Sequence, residues 1–197
     1  MEKPPRLTVF AGANGSGKST LTAFYRRRLE GSSVLLDADA VAKQINPENP
    51  AKAAIQAARY VITTQQKFLQ VGQSFALETT LSAKGNLALL ETAKNKGWLV
   101  RLLFVGLADP LINVQRVEAR VKDGGHHVPK VDILRRYIRS LEHLPEAAEF
   151  ADLLSVHDNS DRQMRRVVLV KQHQVLRFEN LDSSWWKIAL EPYLKSR

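Results

Sequence analysis

Gly12-Ala13-Asn14-Gly15-Ser16-Gly17-Lys18-Ser19 is the stretch that decides how this chain folds. It satisfies G-x-x-x-x-G-K-[ST] at every position. The apolar run Leu7-Thr8-Val9-Phe10-Ala11 stands immediately before it, and an amphipathic segment with Leu21, Phe24, Tyr25 and Leu29 follows. Those flanks supply the strand–loop–helix context that the motif needs. Glycines let such a backbone curl until its N–H groups converge on phosphate oxygens, and the helix start adds the positive end of its dipole. Lys18 is expected to reach the outer phosphates of ATP or GTP, and the Ser19 hydroxyl to hold Mg²⁺. The expected nucleotide-binding set is Gly12, Ala13, Asn14, Gly15, Ser16, Gly17, Lys18, Ser19 and Thr20.

Outward from the loop, apolar runs and helical periods alternate. Short runs at Val34–Leu36, Phe75–Leu77, Leu99–Val105, Leu153–Val156 and Val167–Val170 suit buried, mostly parallel strands. Between them Ile55, Ala58, Ile62 and Leu69 mark one face of a helix, and Leu134, Tyr137, Ile138 and Leu141 mark another. Val167–Val170 and Val175–Phe178 flank Lys171-Gln172-His173-Gln174 as a hairpin, and a last helix carries Trp185, Trp186, Ile188 and Leu190. The expected fold class is an α/β, P-loop NTPase-type three-layer domain: a mostly parallel sheet with helices on both faces, closed by a C-terminal β-hairpin and helix. No linker or repeat divides the 197 residues, so a single domain is expected over 1–197.

Composition narrows the function. The chain has no cysteine, which excludes a thiolate metal site, a Cys nucleophile and a disulfide framework. No stretch approaches the ~18 apolar residues of a membrane span, and Met1–Pro5 leave no room for a signal peptide before the first strand. A cytoplasmic protein without a membrane partner is the expectation. The formal charge of +9 calls for an anionic partner.

Three further places carry chemistry. Asp37-Ala38-Asp39 follows the second strand at the sheet edge where open α/β sheets bind ligands. One aspartate there is expected to act on an acceptor hydroxyl and the other to cap the next helix, with Asp39 preferred as the base. Glu78, in Leu77-Glu78-Thr79-Thr80-Leu81, ends the third strand, within reach of substrate hydroxyls or the water shell of a metal. Asp109–Asp123 has helical period, with Leu111, Val114, Val117 and Val121 inward and Asn113, Arg116 and Arg120 on an adjacent stripe. It runs into Gly124-Gly125-His126-His127-Val128-Pro129 and a second helix. We read the region of about 116–140 as a lid whose arginines, Arg116 or Arg120 first and Arg135 or Arg136 second, neutralise the transferring phosphoryl group. The two histidines lack companion ligands at metal spacing.

In order and spacing, the phosphate loop with Ala13-Asn14-Gly15-Ser16 inside it, Asp37-x-Asp39, Glu78-x-Thr80 and the arginine-bearing lid resemble the zeta toxin family of P-loop kinases, from about Leu7 to Asn159. The resemblance implies ATP- or GTP-dependent phosphorylation of a hydroxyl on a nucleotide sugar, UDP-N-acetylglucosamine. It implies Lys18 as the nucleotide-binding lysine, Asp39 as base, Glu78 and Thr80 as substrate-binding residues and Arg116 or Arg120 as clamps. An antitoxin protein would be the implied partner. One departure stands out: the best-known members carry their second arginine just ahead of a Thr-Pro, where this chain has His126-His127-Val128-Pro129. A histidine there, His126 first, or Arg135 or Arg136, would have to substitute.

Two other readings compete. A nucleic-acid 5′-hydroxyl as acceptor is suggested by Arg26-Arg27-Arg28, Arg162, Arg165-Arg166 and Lys171. A duplex binder, however, would carry one continuous basic stripe. Here residues 1–30 carry +4, 31–110 +2, 111–140 +4, 141–160 −5 and 161–197 +4. Aromatic residues, at 7%, are also too scattered for a stacking platform. The third reading is a nucleotide-binding interaction module without catalysis, against which the converging carboxylates argue.

Overall fold

The computed structural model describes residues 3–26, 34–125, 127–179 and 184–195. Leu29, Arg27, Arg28 and His126 therefore lie outside the described residues. Among those described, the chain forms β1 (Arg6–Ala11), α1 (Lys18–Arg26), β2 (Val34–Asp37), α2 (Ala38–Ile45), a 3-10 turn (Pro50–Ala53) and α3 (Ala54–Val71). It continues through β3 (Phe75–Thr79), α4 (Lys84–Asn95), β4 (Leu99–Gly106), α5 (Pro110–Lys122) and α6 (Lys130–Glu149). The C-terminal part is β5 (Leu153–Asp158), β6 (Arg165–Lys171), β7 (Gln174–Phe178) and α7 (Trp185–Lys195).

The seven strands make one sheet in the order β2-β3-β1-β4-β5-β6-β7. The first five in that order are parallel, and β6 and β7 add antiparallel. This is the mostly parallel α/β sheet that the alternating pattern predicts. All five parallel strands deliver their carboxyl ends to one edge: the phosphate loop after β1, Asp37 on β2, Glu78 and Thr79 on β3, and Asp158 on β5. The central strands are mostly apolar, Val100 and Leu102 to Val105 being buried on both faces. The hairpin turns through Gln172 and His173, both at positive φ (47° and 66°), the geometry that matches the right-handed twist of the flanking strands.

The helix faces depart from the periodicity. In α3 the buried residues are Ala57, Val61 and Leu69, while Ile55 and Ile62 are 72% and 53% exposed. The reason is the partner. Ala57 packs with Ala42 and Ala53, so small residues let α2 and the 3-10 turn approach closely and rotate the isoleucines outward. Leu111 on α5, Ile138 on α6 and Ile188 on α7, expected inward, are also exposed. On α6 the inward residues are Ile133, Ser140 and Leu144; on α7 they are Trp185, Trp186, Leu190 and Tyr193. Val114 and Val117 of α5, Val128 of the connection and Ile133 of α6 pack together, so the basic segment is a small two-helix unit with its own apolar cluster.

Candidate functional site

A cleft of about 670 Å³ opens at the carboxyl edge of the sheet. Its lining includes Asn14, Gly15, Gly17, Lys18, Ser19 and Thr20 from the loop, Asp37 and Asp39, Glu78 and Thr80, and Arg116, Arg120 and Arg136. Residues up to 122 positions apart in sequence are thus neighbours.

The loop runs from a buried strand into the first turn of α1. Lys18 is nearly buried, and its Nζ donates to the Ala13 carbonyl at 3.0 Å. Burial pushes its ammonium below the usual 10.5, and the Arg120 guanidinium acts in the same direction. Glu78, Asp39 and Asp37 pull the other way. An arriving polyphosphate would add negative charge beside a cation whose solvation the fold has already removed. Ser19 Oγ donates to Glu78 Oε1 at 2.8 Å. Thr22 Oγ1 lies 3.1 Å from Glu78 Oε2 and 3.0 Å from the Lys18 carbonyl. A serine hydroxyl held on a carboxylate is an oxygen donor set that suits a hard cation such as Mg²⁺. Among the described residues no group of three or more His, Asp or Glu could hold a metal by itself.

Across the cleft stand the aspartates. Asp37 Oδ1 accepts from the Asp39 N–H at 2.9 Å and caps α2, leaving Asp39 exposed in the first turn. Asp37 thus caps the helix, and both carboxylates line the cleft. Asp37 also lies opposite Glu78 in the parallel register of β2 and β3. Burial first, then Glu78 and Asp39, raise its carboxyl above the ordinary 3.8, while the N–H groups of Asp39 and Ala40 oppose the shift.

The turn after β3 is strained in a way that the sequence does not display. Leu81 is fully buried at φ 57°, its N–H donating to Thr79 Oγ1 at 3.2 Å and its carbonyl 2.8 Å from His143 Nδ1. A bulky residue at positive φ costs about 1–3 kcal/mol and persists only when its surroundings hold it. Here it brings the hydroxyls of Thr80 and Ser82 to 2.8 Å from each other on the cleft wall. Ser82 and Lys43, the latter one turn beyond Asp39, are cleft residues that the motif search missed. Lys43 was discoverable as Asp39's i+4 neighbour on one helix face.

The arginines sort cleanly. Arg116 Nη2 donates to the Asn159 carbonyl at 3.0 Å, and Arg136 Nη1 to Asn14 Oδ1 at 3.0 Å. Both line the cleft, as does Arg120. Arg135, a candidate substrate-binding residue from the sequence, is not in the lining. It pairs with Asp132 at 2.8 Å on the exposed side of α6, because adjacent helix positions point about 100° apart. His127 is exposed and outside the lining. Part of the basic group of Arg162, Arg165, Arg166 and Lys171 is also spoken for. Arg165 lies 3.6 Å from Asp158 and 3.8 Å from Glu179, with its guanidinium 6.0 Å from the Trp186 ring. Among the described residues no helix is long and apolar enough to cross a membrane.

Comparison with known proteins matches these features. A sequence profile of the family described as zeta toxin covers residues 1–181. The chain belongs to the zeta toxin family. It is 38% identical to an uncharacterized protein of Haemophilus influenzae over 132 residues, 67% of this chain and 92% of that one. Its fold is similar to a chain in the crystal structure of AvrRxo1-ORF1:-ORF2 with ATP (TM-score 0.71, 13% identity), covering 97% of this chain and 63% of that one. The chain thus spans less than two thirds of that neighbour's length. It is also similar to a chain of the PezAT chromosomal toxin–antitoxin system of Streptococcus pneumoniae (TM-score 0.64, 18% identity, 98% and 79% covered). A gluconokinase from Sinorhizobium meliloti shares the fold at TM-score 0.50, with 15% identity over 82% and 86% of the two chains.

Proposed function

We propose that this zeta toxin family member transfers the γ-phosphoryl group of ATP, or of GTP, to a hydroxyl of a small anionic acceptor. A nucleotide sugar such as UDP-N-acetylglucosamine is the first candidate, since that is the acceptor the family resemblance implies. The observation that carries the reading is the convergence of Lys18 and Asp39 on one cleft, with Glu78 between their elements and three arginines on the remaining wall. Phosphoryl transfer asks for positioning and charge neutralisation more than for covalent chemistry. Backbone N–H groups of the loop and Lys18 hold the triphosphate. Asp39 accepts the proton of the acceptor hydroxyl, and Arg116, Arg120 and Arg136 meet the negative charge on the phosphoryl oxygens in flight. Glu78, Thr80 and Ser82 orient the acceptor, and Lys43 faces its anionic part. Ser19, with Glu78 behind it, would hold Mg²⁺, which supplies charge neutralisation at the β- and γ-phosphates when bound. The α5–α6 unit serves as the lid over the donor.

An antitoxin partner is part of this reading. It is supported by the PezAT toxin–antitoxin neighbour and by the two-component AvrRxo1 neighbour. Incubation of the purified protein with labelled ATP, Mg²⁺ and UDP-N-acetylglucosamine tests the acceptor, with Lys18→Ala as control. Label on the sugar nucleotide that disappears in the control is the expected result. Label on a different metabolite from a pooled screen would retain the kinase and remove this acceptor, and no transfer to any hydroxyl compound would overturn the reading.

A further inference from the structure

The phosphate loop is held from behind by two asparagines that the motif does not contain. Asn113, fully buried on α5, donates its Nδ2–H to the Asn14 carbonyl at 2.7 Å. Asn159, just past β5, donates its Nδ2–H to the Ser16 carbonyl at 2.8 Å. Neither side chain lines the cleft, whereas Asn14, Gly15 and Gly17 do. In a planar trans peptide the carbonyl of one residue and the N–H of the next point in opposite directions. A carbonyl drawn backward at Asn14 therefore aims the Gly15 N–H into the cleft, and one drawn backward at Ser16 does the same for Gly17.

The glycines fit this arrangement independently. A Cβ on Gly15 would lie 2.5 Å from the Asn113 carbonyl oxygen, and one on Gly17 2.4 Å from Asn159 Nδ2. Both residues have positive φ, 76° and 103°. Two of the motif's glycines thus make room for the very residues that hold the loop. The same residues connect to the lid. Arg116 donates to the Asn159 carbonyl, and Arg136 to the side chain of Asn14, whose own carbonyl Asn113 holds.

We propose that Asn113 and Asn159 are positioning residues that fix two peptide planes of the loop so that the Gly15 and Gly17 N–H groups are aimed at the donor's phosphates. The inference rests on the nucleotide-binding reading above. It makes a claim which that reading does not: the contribution of Asn159 depends on how many phosphates the ligand carries. Adenosine and AMP place no phosphate deep in the loop, whereas ADP and ATP do.

The experiment measures dissociation constants of AMP, ADP and ATP with Mg²⁺ for the wild type and for Asn159→Asp and Asn159→Ala, after thermal melting without ligand. Asn159→Asp keeps the size and removes the donor. The expected result is ADP and ATP weakened by about tenfold, equivalent to ~1.4 kcal/mol, with AMP changed less than about twofold. Equal weakening of all three ligands, or no change in any, overturns the positioning role while the nucleotide-binding reading stands. Failure of the wild type to bind ATP overturns both. If Asn159→Asp melts before it can be titrated, Asn159→Ala, which introduces no charge, decides the matter by the same criterion.

Discussion

The two walls of the cleft are built on different principles. The acidic wall, Asp37, Asp39 and Glu78, stands on backbone that cannot move independently. Asp37 and Glu78 face each other in strand register, and Asp39 begins a helix that Asp37 caps. The basic wall is made of long side chains thrown across from α5 and α6: Arg116, Arg120 and Arg136. Two of these are held by hydrogen bonds to Asn159 and Asn14. Short carboxylates on a sheet edge are positioned before any ligand arrives. On the proposed function these arginines would trade protein acceptors for phosphate oxygens, an exchange that a closing lid would provide. Burial first, and then the like charges of Glu78 and Asp39, hold the Asp37 carboxyl above its ordinary value on this fixed wall.

Substitutions separate the two walls. If Asp39 is the proton acceptor as proposed, Asp39→Asn should lower phosphoryl transfer by about 10²–10⁴-fold with a much smaller change in the ATP dissociation constant; a parallel loss of ATP binding would place Asp39 on the donor side instead. Lys18→Ala should lower transfer by about 10²–10³-fold and weaken ATP as well, which titration and kinetics together resolve. Arg136→Gln should cost about tenfold in the rate constant for transfer, or ~1.4 kcal/mol of barrier. Its neighbour Arg135→Gln, paired with Asp132 away from the cleft, should leave that rate within about twofold. Equal effects of the two would break the division of α6 into a cleft side and a solvent side.

The smallest effect concerns stability. A carboxyl held above 3.8 is easier to protonate in the folded chain than in the unfolded one, so Asp37 lowers stability progressively as pH rises from about 3.8 through its folded value, and remains unfavourable at neutral pH. Asp37→Asn keeps a side chain that caps helices well. It should raise the melting temperature at pH 7, which thermal melting reads. The gain should vanish below pH ~3.8, where the wild-type carboxyl is protonated in both states.

The sequence made the fixed wall more legible than the reaching one. The placement of the phosphate loop, the Asp37–Asp39 pair and the strand-end Glu78 could be read because each sits where an apolar run stops, and a parallel sheet collects all such stops on one edge. Arg136 could not be told from Arg135, since both belong to one basic run and only the docking of α6 chooses between them. Helix faces failed for a related reason. On α3 the close approach of Ala42, Ala53 and Ala57 outweighed two isoleucines, and alanine carries little weight in a hydrophobic period. Asn159 gave no local signal at all, and its meaning comes from the Ser16 carbonyl far upstream in the chain.

That distance has a consequence for the timing of synthesis. The phosphate loop is encoded among the first residues, yet its two rear supports follow 99 and 143 positions later. At roughly 5–20 residues per second, a ribosome needs about 7–30 s between translating Ser16 and translating Asn159. A nascent chain cut short before β5 would carry the whole motif with neither Asn159 nor the strand that presents it. The loop is written first and completed last, so a chain that stops before β5 has the motif and Asn113 but not Asn159.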